Sequence, residues 1–401
     1  MRRIYLDHVS ATPVLGEVLE LMREFWGGNF GNPASLHSDG VRARIAMERA
    51  REQTAAFLGA STPEEIVFTS DGAESTNLAI KGLAAHPRRR GNHVVTTSLE
   101  HPSIRRCAGY LRGQGIIVSE VGPDREGLVS VEGIRAALTP ETFLIATHVV
   151  NHDLGVIQAV EQTGALALEH GIPLFVDAES AAGWVPLDVD RLGASLLSCS
   201  AHRFCGPKGV GVLFKNRRVR LIPQIVGGDQ EFGIRAGVEN VAGIAGAGLA
   251  AEVAGRDLPN RALHGLLLQR RFLEKLRGAV PGVHLHGPEP GPSRSPQSLF
   301  LSIEGIEGEG LILFCDLQGV ALHAGSACTS RLAKMPPALQ AIGVPPAVAR
   351  GAILVSFGVE STQDEVDVAV RVITTGVARL RELAPTSAME PLQAPSGVVD
   401  R

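Results

Sequence analysis

Ser198-Cys199-Ser200-Ala201-His202-Arg203-Phe204-Cys205-Gly206-Pro207-Lys208-Gly209 is the stretch on which the reading of this chain turns. An apolar run, Ala194 to Leu197, leads into it and reads as a buried strand. Gly206, Pro207 and Gly209 force a tight turn before a second strand, Val210 to Phe214. A Ser/His cluster held between two strands is well placed to fix a ligand. The same rhythm continues outward. Ile66 to Thr69, His93 to Thr97, Ile116 to Val121, Phe143 to Val150 and Pro173 to Val176 read as strands. Val14 to Phe25, Ser38 to Leu58, Ile104 to Leu111, Val131 to Leu138 and Glu161 to His170 read as helices, as does the segment running on from Glu74 to about Gly82. Alternating apolar strands and helices of this length predict an α/β fold with a mostly parallel sheet and helices on both faces.

Beyond this block, Val241 to Arg277 reads as largely helical and includes the crossover to a second unit; its first half is Ala-rich. Pro281 to Ser295 is a Pro/Gly-rich connection. Ser298 to Ile303 and Val320 to His323 read as strands, and Glu309 to Leu317 and Gln363 to Leu383 as helices. The expected organisation is a large α/β domain over 14–258 and a small α/β domain made of 1–13 and 259–384. The Pro/Ser-rich tail, 385–401, is expected to be disordered.

The chain has 401 residues, 44% hydrophobic and 20% charged, with formal net charge −4, as in an ordinary soluble globular protein with two sizeable cores. No basic run marks a nucleic-acid footprint. No apolar stretch of roughly 18 residues marks a membrane span. The N-terminus, Met1-Arg2-Arg3-Ile4-Tyr5-Leu6-Asp7, lacks the apolar segment of a signal peptide. Cys107, Cys199, Cys205, Cys315 and Cys328 form an odd, scattered set, which points to free thiols and a cytoplasmic location.

Several motifs carry chemistry. Thr69-Ser70-Asp71-Gly72-Ala73-Glu74-Ser75-Thr76-Asn77 places a strand end against a helix N-terminus, where backbone N–H groups and the helix dipole suit an anion; the same turn also occurs in many α/β proteins for packing alone. Val176-Asp177-Ala178-Glu179-Ser180-Ala181 ends an apolar strand on a carboxylate that is costly to bury unless paired, or that caps the next turn. Glu100-His101-Pro102 follows a strand and opens a helix. Val150-Asn151-His152-Asp153-Leu154-Gly155 follows another. Ala324-Gly325-Ser326-Ala327-Cys328-Thr329-Ser330 is a Gly/Ser loop around a cysteine, a setting for an exposed thiolate.

Together these motifs resemble the cysteine desulfurases, pyridoxal-phosphate enzymes related to the class V aminotransferases, over nearly the whole chain from Tyr5 to about Leu383. The resemblance implies the fold type I architecture of pyridoxal-phosphate transferases: a large domain with a mostly parallel sheet, a small α/β domain, and a homodimer. In that family Ser-x-His-Lys precedes Gly-Pro-Lys-Gly, and the lysine carries the cofactor as a Schiff base. The resemblance implies cofactor contacts from Gly72, Ala73, His101, Asn151, Asp177, Ser200, His202 and the position of Arg203. His101 would stack on the pyridine ring, Asn151 lie near its hydroxyl, and Asp177 pair with its nitrogen. Cys328 matches the cysteine that takes the substrate sulfur as a persulfide.

The departures are as specific as the matches. Arg203 replaces the lysine, and a guanidinium, protonated up to a pKa above about 12, cannot form a Schiff base. Ala73 and Val238 replace hydroxyl-bearing phosphate contacts, and Asp71 adds a carboxylate to the anion loop. Leu354 replaces the arginine that binds the substrate carboxylate. His8, His152 and Cys205 stand where the family has other residues. With His101, His202 and Cys328 they form a candidate metal or iron–sulfur pocket, Cys328 being the metal ligand chosen, although polar pocket residues without metal are the simpler reading.

Three functions remain open at this point. The first is a desulfurase-like protein without covalent pyridoxal phosphate that works through Cys328, with His101 and His202 beside it. Cys328 would be a persulfide carrier or a metal or iron–sulfur ligand, serving an iron–sulfur scaffold or sulfur-acceptor protein. The second is an enzyme of changed chemistry using non-covalently bound pyridoxal phosphate or its aminated form, with His202 as the base and Asp177, His101 and Asn151 in its favour. The third is a non-catalytic partner of an active homologue.

Overall fold

The computed structural model describes residues 3–325 and 335–383. In chain order, β1 (Ile4–Tyr5) is followed by α1 (Gly16–Trp26), α2 (Ser38–Leu58), β2 (Ile66–Thr69) and α3 (Gly72–Ala84). Next come β3 (His93–Thr97), α4 (Pro102–Gly113), β4 (Ile117–Val121), α5 (Val131–Ala137), β5 (Thr142–His148), α6 (Val160–Glu169) and β6 (Leu174–Asp177). Then β7 (Leu196–Ser200) leads through a 3-10 turn, Ala201–Arg203, to β8 (Gly211–Lys215), the short α7 (Gln230–Gly233), α8 (Val241–Arg256) and α9 (Leu258–Ala279). The remainder is β9 (Val283–Leu285), β10 (Ser298–Ile303), α10 (Gly308–Leu317), β11 (Val320–Ala321), α11 (Pro337–Ala341), α12 (Pro346–Ala349), β12 (Ala352–Ser356) and α13 (Gln363–Leu383).

The main sheet has seven strands in the order β2-β8-β7-β6-β5-β3-β4. Strands β4, β3, β5, β6 and β7 pair in parallel, as the strand–helix alternation predicts. β8 is the exception: it runs antiparallel to both β7 and β2. The reason is covalent. A parallel connection needs a crossover of about a dozen residues or more, usually a helix, and the Ala201–Val210 turn is too tight for one. The chain can only fold straight back, so Ser200, Ala201, His202 and Arg203 stay at the sheet edge.

β2, β3, β5, β6 and β7 all end at that edge. Their exits carry Asp71 and Gly72, His101, Asn151, Asp177 and Ser200. In α/β sheets such a carboxyl edge is where ligands bind. Gly211 is needed here, because a side chain on it would collide with the Asp71 backbone and with Thr69 Oγ1.

The cores are apolar strand faces covered by helices. One large cluster joins α1, α2 and α8 to the sheet, and a second lies under α3 and α4. A third packs α9 and α13 on β10 and β12, and includes Leu268, Phe272, Leu301, Ile353 and Ile373. The Ala-rich half of 241–277 is a helix selected for close approach. A Cβ on Gly246 would meet Met22 Cγ at 2.7 Å, and one on Gly248 would lie 2.6 Å from the Ala50 Cβ. The chain passes from α8 in the first cluster to α9 in the third at Asp257.

Two short strands differ from the sequence reading. β9 falls inside the Pro/Gly-rich connection, and β12 overlaps Ile353-Leu354-Val355-Ser356-Phe357-Gly358, the stretch that resembles the family's Ile-Arg-x-Ser-x-Gly with Leu354 at the arginine position. Both pair antiparallel with β10.

Arg294 joins the third cluster to the sheet edge. It is 1% exposed. Its Nη1 donates to the Leu154 carbonyl at 2.8 Å and the Ser298 carbonyl at 3.2 Å, and its Nε to Pro288 O at 2.5 Å. Nη2 donates to His286 O. All these partners are main-chain carbonyls. Burial lowers the arginine to about 10, still high enough to remain charged. No helix among the described residues is long and apolar enough to cross a membrane.

Candidate active site

The site at the sheet edge has two halves. The first is built by the exits of β3, β5 and β6. Asn151 is 1% exposed. Its Oδ1 accepts from the N–H groups of Asp153 and Leu154 at 3.2 and 2.8 Å, and its Nδ2 donates to Leu99 O at 2.9 Å. The side chain is therefore spent on holding the 151–155 loop against the loop before α4, with one N–H left over. The ring-hydroxyl contact implied by the resemblance would fall to that remaining N–H.

His101 caps α4, accepting from the Ser103 N–H through Nδ1 at 3.2 Å. Its ring also meets His152 edge-on at 5.1 Å. The residue starts the helix, as Glu100-His101-Pro102 predicts. Burial first, then His152, lowers its pKa to about 4, so the imidazole is neutral at pH 7. Asp177 ends β6, and its Oδ1 accepts the Glu179 N–H at 2.9 Å. Burial raises its pKa, with His101 pulling the other way. Behind it, His148 Nδ1 lies 2.9 Å from Glu100 Oε1, and Thr97 donates to the same oxygen at 2.7 Å. Burial opposes protonation of His148, but the carboxylates of Glu100 and Asp177 outweigh it and raise the pKa.

The second half gathers the exits of β2 and β7 with the N-terminus of α3. The Gly72 N–H donates to Ser200 Oγ at 2.8 Å, and the Ala73 N–H to Asp71 Oδ1 at 3.0 Å. Ser200 Oγ donates in turn to Glu179 Oε1 at 3.0 Å. Glu179 Oε2 lies 3.6 Å from Arg203 Nε, and both side chains are largely buried. A Cβ on Gly72 would overlap Glu179 Oε1, so the carboxyl group lies directly against the helix N-terminus. Burial and the nearby Asp177 raise the Glu179 acid to about 8, against the pull of Arg203. His202 Nδ1 is 3.8 Å from Asp71 Oδ2. Burial, then Arg203, holds it near 4 and neutral.

Arg203 thus turns to Glu179, not to Asp177. Glu179 is the site residue that sequence reasoning missed. Its signal was a third acid beside Asp177 and Asp71, facing a glycine with no side chain to exclude it.

The family's other positions fall as follows. Arg235 Nε pairs with Glu74 at 3.0 Å. Arg51 holds Glu231 through two hydrogen bonds, of 2.9 and 2.7 Å, in a turn where Glu231 has φ 47° and Phe232 φ 61°. Leu354 is 1% exposed, in the core. Val238 is exposed. Lys208 is exposed in its turn.

Among the described members of the candidate histidine–cysteine pocket, His101 and His152 meet and the others lie apart. His8 packs on Tyr5 and beside Gly358, Cys205 is buried with its N–H on Thr12 Oγ1, and His202 faces Asp71. Among the described residues no three His, Cys, Asp or Glu side chains are grouped to hold a metal ion. Cys328 lies outside the described residues. A cavity of about 380 Å³ lies beside the first half, lined by Glu100, Arg105, Arg106 and His152, and reaches Pro337 and Ala338.

The residues present fit only half of pyridoxal phosphate. Asp177 and His101 suit the ring. The anion seat is already taken by the Glu179 carboxyl, Asp71 caps the amide beside it, and the position of the family lysine carries the Arg203 guanidinium. As they stand, these side chains do not accommodate the phosphate.

The whole chain has close relatives. The class-V aminotransferase family profile matches residues 4–368. The cysteine desulfurase IscS of Dictyoglomus turgidum is 37% identical over 96% of this chain and 97% of its own length. That of Clostridium botulinum is 38% identical over 96% of each. Among solved structures, a NifS-like protein superposes with TM-score 0.88 at 33% identity, over 94% of this chain and 100% of that one. The apo cysteine desulfurase of Thermococcus onnurineus NA1 gives 0.84 at 26% identity, over 94% and 95%.

Proposed function

Given that the chain belongs to the class-V aminotransferase family and, within it, to the cysteine desulfurases, we propose that it relays sulfur as a persulfide on Cys328 without releasing it from free cysteine itself. The observation that supports this most directly is the Arg203–Glu179 pair, which stands where an amine would be needed. The guanidinium has no lone pair to offer a carbonyl, and it is a poor base for proton transfers.

The transfer needs no cofactor and is redox-neutral. The Cys328 thiolate attacks the terminal sulfur of a donor persulfide, a new S–S bond forms, and the donor's own sulfur leaves as a thiolate. The donor would be an active desulfurase or a small persulfide; the acceptor would be an iron–sulfur scaffold or another sulfur-acceptor protein. The cavity beside His152, lined by Arg105, Arg106 and Arg112 with Glu100, Glu120 and Asp153, suits a polar partner loop of mixed charge. A reducing compartment such as the cytoplasm suits a free persulfide. Exposed Ile225, Val226, Phe232 and Val238 suit a second copy of this chain as the dimer partner.

The test is anaerobic incubation with an active cysteine desulfurase and radiolabelled cysteine. Label that reaches this chain, is released by dithiothreitol and is lost in Cys328→Ser supports the relay. Production of alanine and sulfide from cysteine by this chain alone, with added pyridoxal phosphate, would overturn it. So would stoichiometric iron held through Cys328.

A further inference from the structure

The second half of the site has every element of an oxyanion receptor. The N-terminus of α3 supplies the positive end of a 13-residue helix. Ser200 supplies a hydroxyl that is 0% exposed. Arg203 supplies a guanidinium whose Nε is fully buried and has no hydrogen-bond partner. What lies among them is a carboxyl group of the chain itself. Glu179 takes the Ser200 hydroxyl, abuts Gly72 and faces Arg203 at 3.6 Å.

We infer that Glu179 is a built-in occupant of this anion seat and the residue that excludes phosphate-bearing ligands from the site. A phosphate entering the seat would have to expel Glu179 from its partners. It would then lie close to the buried Asp177 and the displaced acid, with the half-exposed Asp71 at the rim. A doubly charged anion gains little from one arginine under those conditions. The exclusion is steric before it is electrostatic, since the side chain fills the volume over Gly72 whether or not it is ionised.

The inference goes beyond sulfur relay and does not depend on Cys328. It is read from ligand binding alone, with inorganic phosphate and pyridoxal phosphate as probes, by calorimetry and equilibrium dialysis on the full chain. The wild type and Glu179→Gln are expected to bind neither probe, because glutamine keeps the volume and the Ser200 hydrogen bond. Glu179→Ala is expected to gain roughly tenfold or more in affinity for both, in mutual competition, as expected for a new charge-assisted contact. Arg203→Met in the Glu179→Ala background should cancel the gain.

Glu179→Ser serves the same purpose if the alanine variant folds poorly. Phosphate-competed binding of pyridoxal phosphate by the wild type would overturn the inference. So would natively folded alanine and serine variants that bind no better, or a glutamine variant that binds as well as alanine. Cys328→Ser should change none of these values. A failed persulfide assay and a failed seat assay are therefore distinct results.

Discussion

The two halves of the site have been treated differently. The half built on Asn151, His101 and Asp177 is tied to the backbone of its loops, whereas in the half built on Gly72, Ser200 and Arg203 a carboxyl group, Glu179, fills the space over the helix N-terminus. The reason lies in where each side chain's hydrogen bonds go. Asn151 is bonded to three backbone groups of two loops. Asp177 and His101 each accept from a nearby main-chain N–H. Replacing them would damage the edge of the sheet. Arg203 makes no hydrogen bond through Nε, and among the described residues the Glu179 carboxyl accepts a hydrogen bond only from the Ser200 hydroxyl. Those positions are free to change. Retained residues here testify to architecture first, and the altered ones carry more information about function.

The largest effect is expected from Asn151→Ala. It strands the Leu99 carbonyl and two loop N–H groups at a position 1% exposed, at a cost of about 2–4 kcal/mol in unfolding free energy. Urea denaturation measures it. A loss within about 0.5 kcal/mol, the range of an ordinary surface change, would break the contrast by showing that this half is not structural.

The next effect is in pH dependence. Glu179 titrates near 8 in the folded chain against an ordinary 4.5. Its acid form favours the native state below 4.5, and that contribution is lost as pH rises through 8. Two buried histidines have the opposite sign. His101 and His202 titrate near 4 against 6.5, so stability falls as pH drops from about 6.5 to about 4. Between pH 6.5 and 8 the contribution of His101 and His202 to the slope fades, while His148, whose pKa is raised by Glu100 and Asp177, adds to the decline in both wild type and variant. Glu179 should lower the unfolding free energy there by at most about 1.4 kcal/mol per pH unit, and the slope should shrink in Glu179→Gln. An unchanged slope in the variant would place the titration elsewhere.

The smallest effect sharpens the comparison most. Arg203→Lys restores an amine but leaves Glu179 in its seat. It is expected to shift stability by less than about 1 kcal/mol and to retain no pyridoxal phosphate after dialysis, judged by absorbance. Retention by this single variant would mean that the lysine alone decides cofactor binding.

Much of the fold was legible in the sequence because its strands are short apolar runs between turn residues. Ile66 to Thr69 and His93 to Thr97 lie where the pattern puts them. The reversal of β8 could have been read from the ten residues between Ser200 and Gly211, too few for a crossover. β12 was hidden because Ile353 to Gly358 was taken as a ligand motif, while the lost arginine at Leu354 had turned that position into core. In the site, the identities at 101, 177, 200 and 203 were visible, but pairing was not. Glu179 stands at a position the family motif leaves open, and only the missing side chain at Gly72 marks where its carboxyl would go. A match to a pattern weighs the residues the pattern names, and here the decisive one was unnamed.

Arg294 has a consequence for how the molecule comes apart. Its guanidinium bridges the 151–155 loop and the chain around β9 and β10 through carbonyl groups only. A carbonyl does not titrate, and a contact this deep is beyond the reach of screening ions. Acid that charges the histidines of the site, or salt that weakens the surface ion pairs, leaves this joint untouched. The two cores on either side of it are therefore fastened by a joint whose acceptors neither acid nor salt releases, and they are expected to melt together as a single cooperative unit.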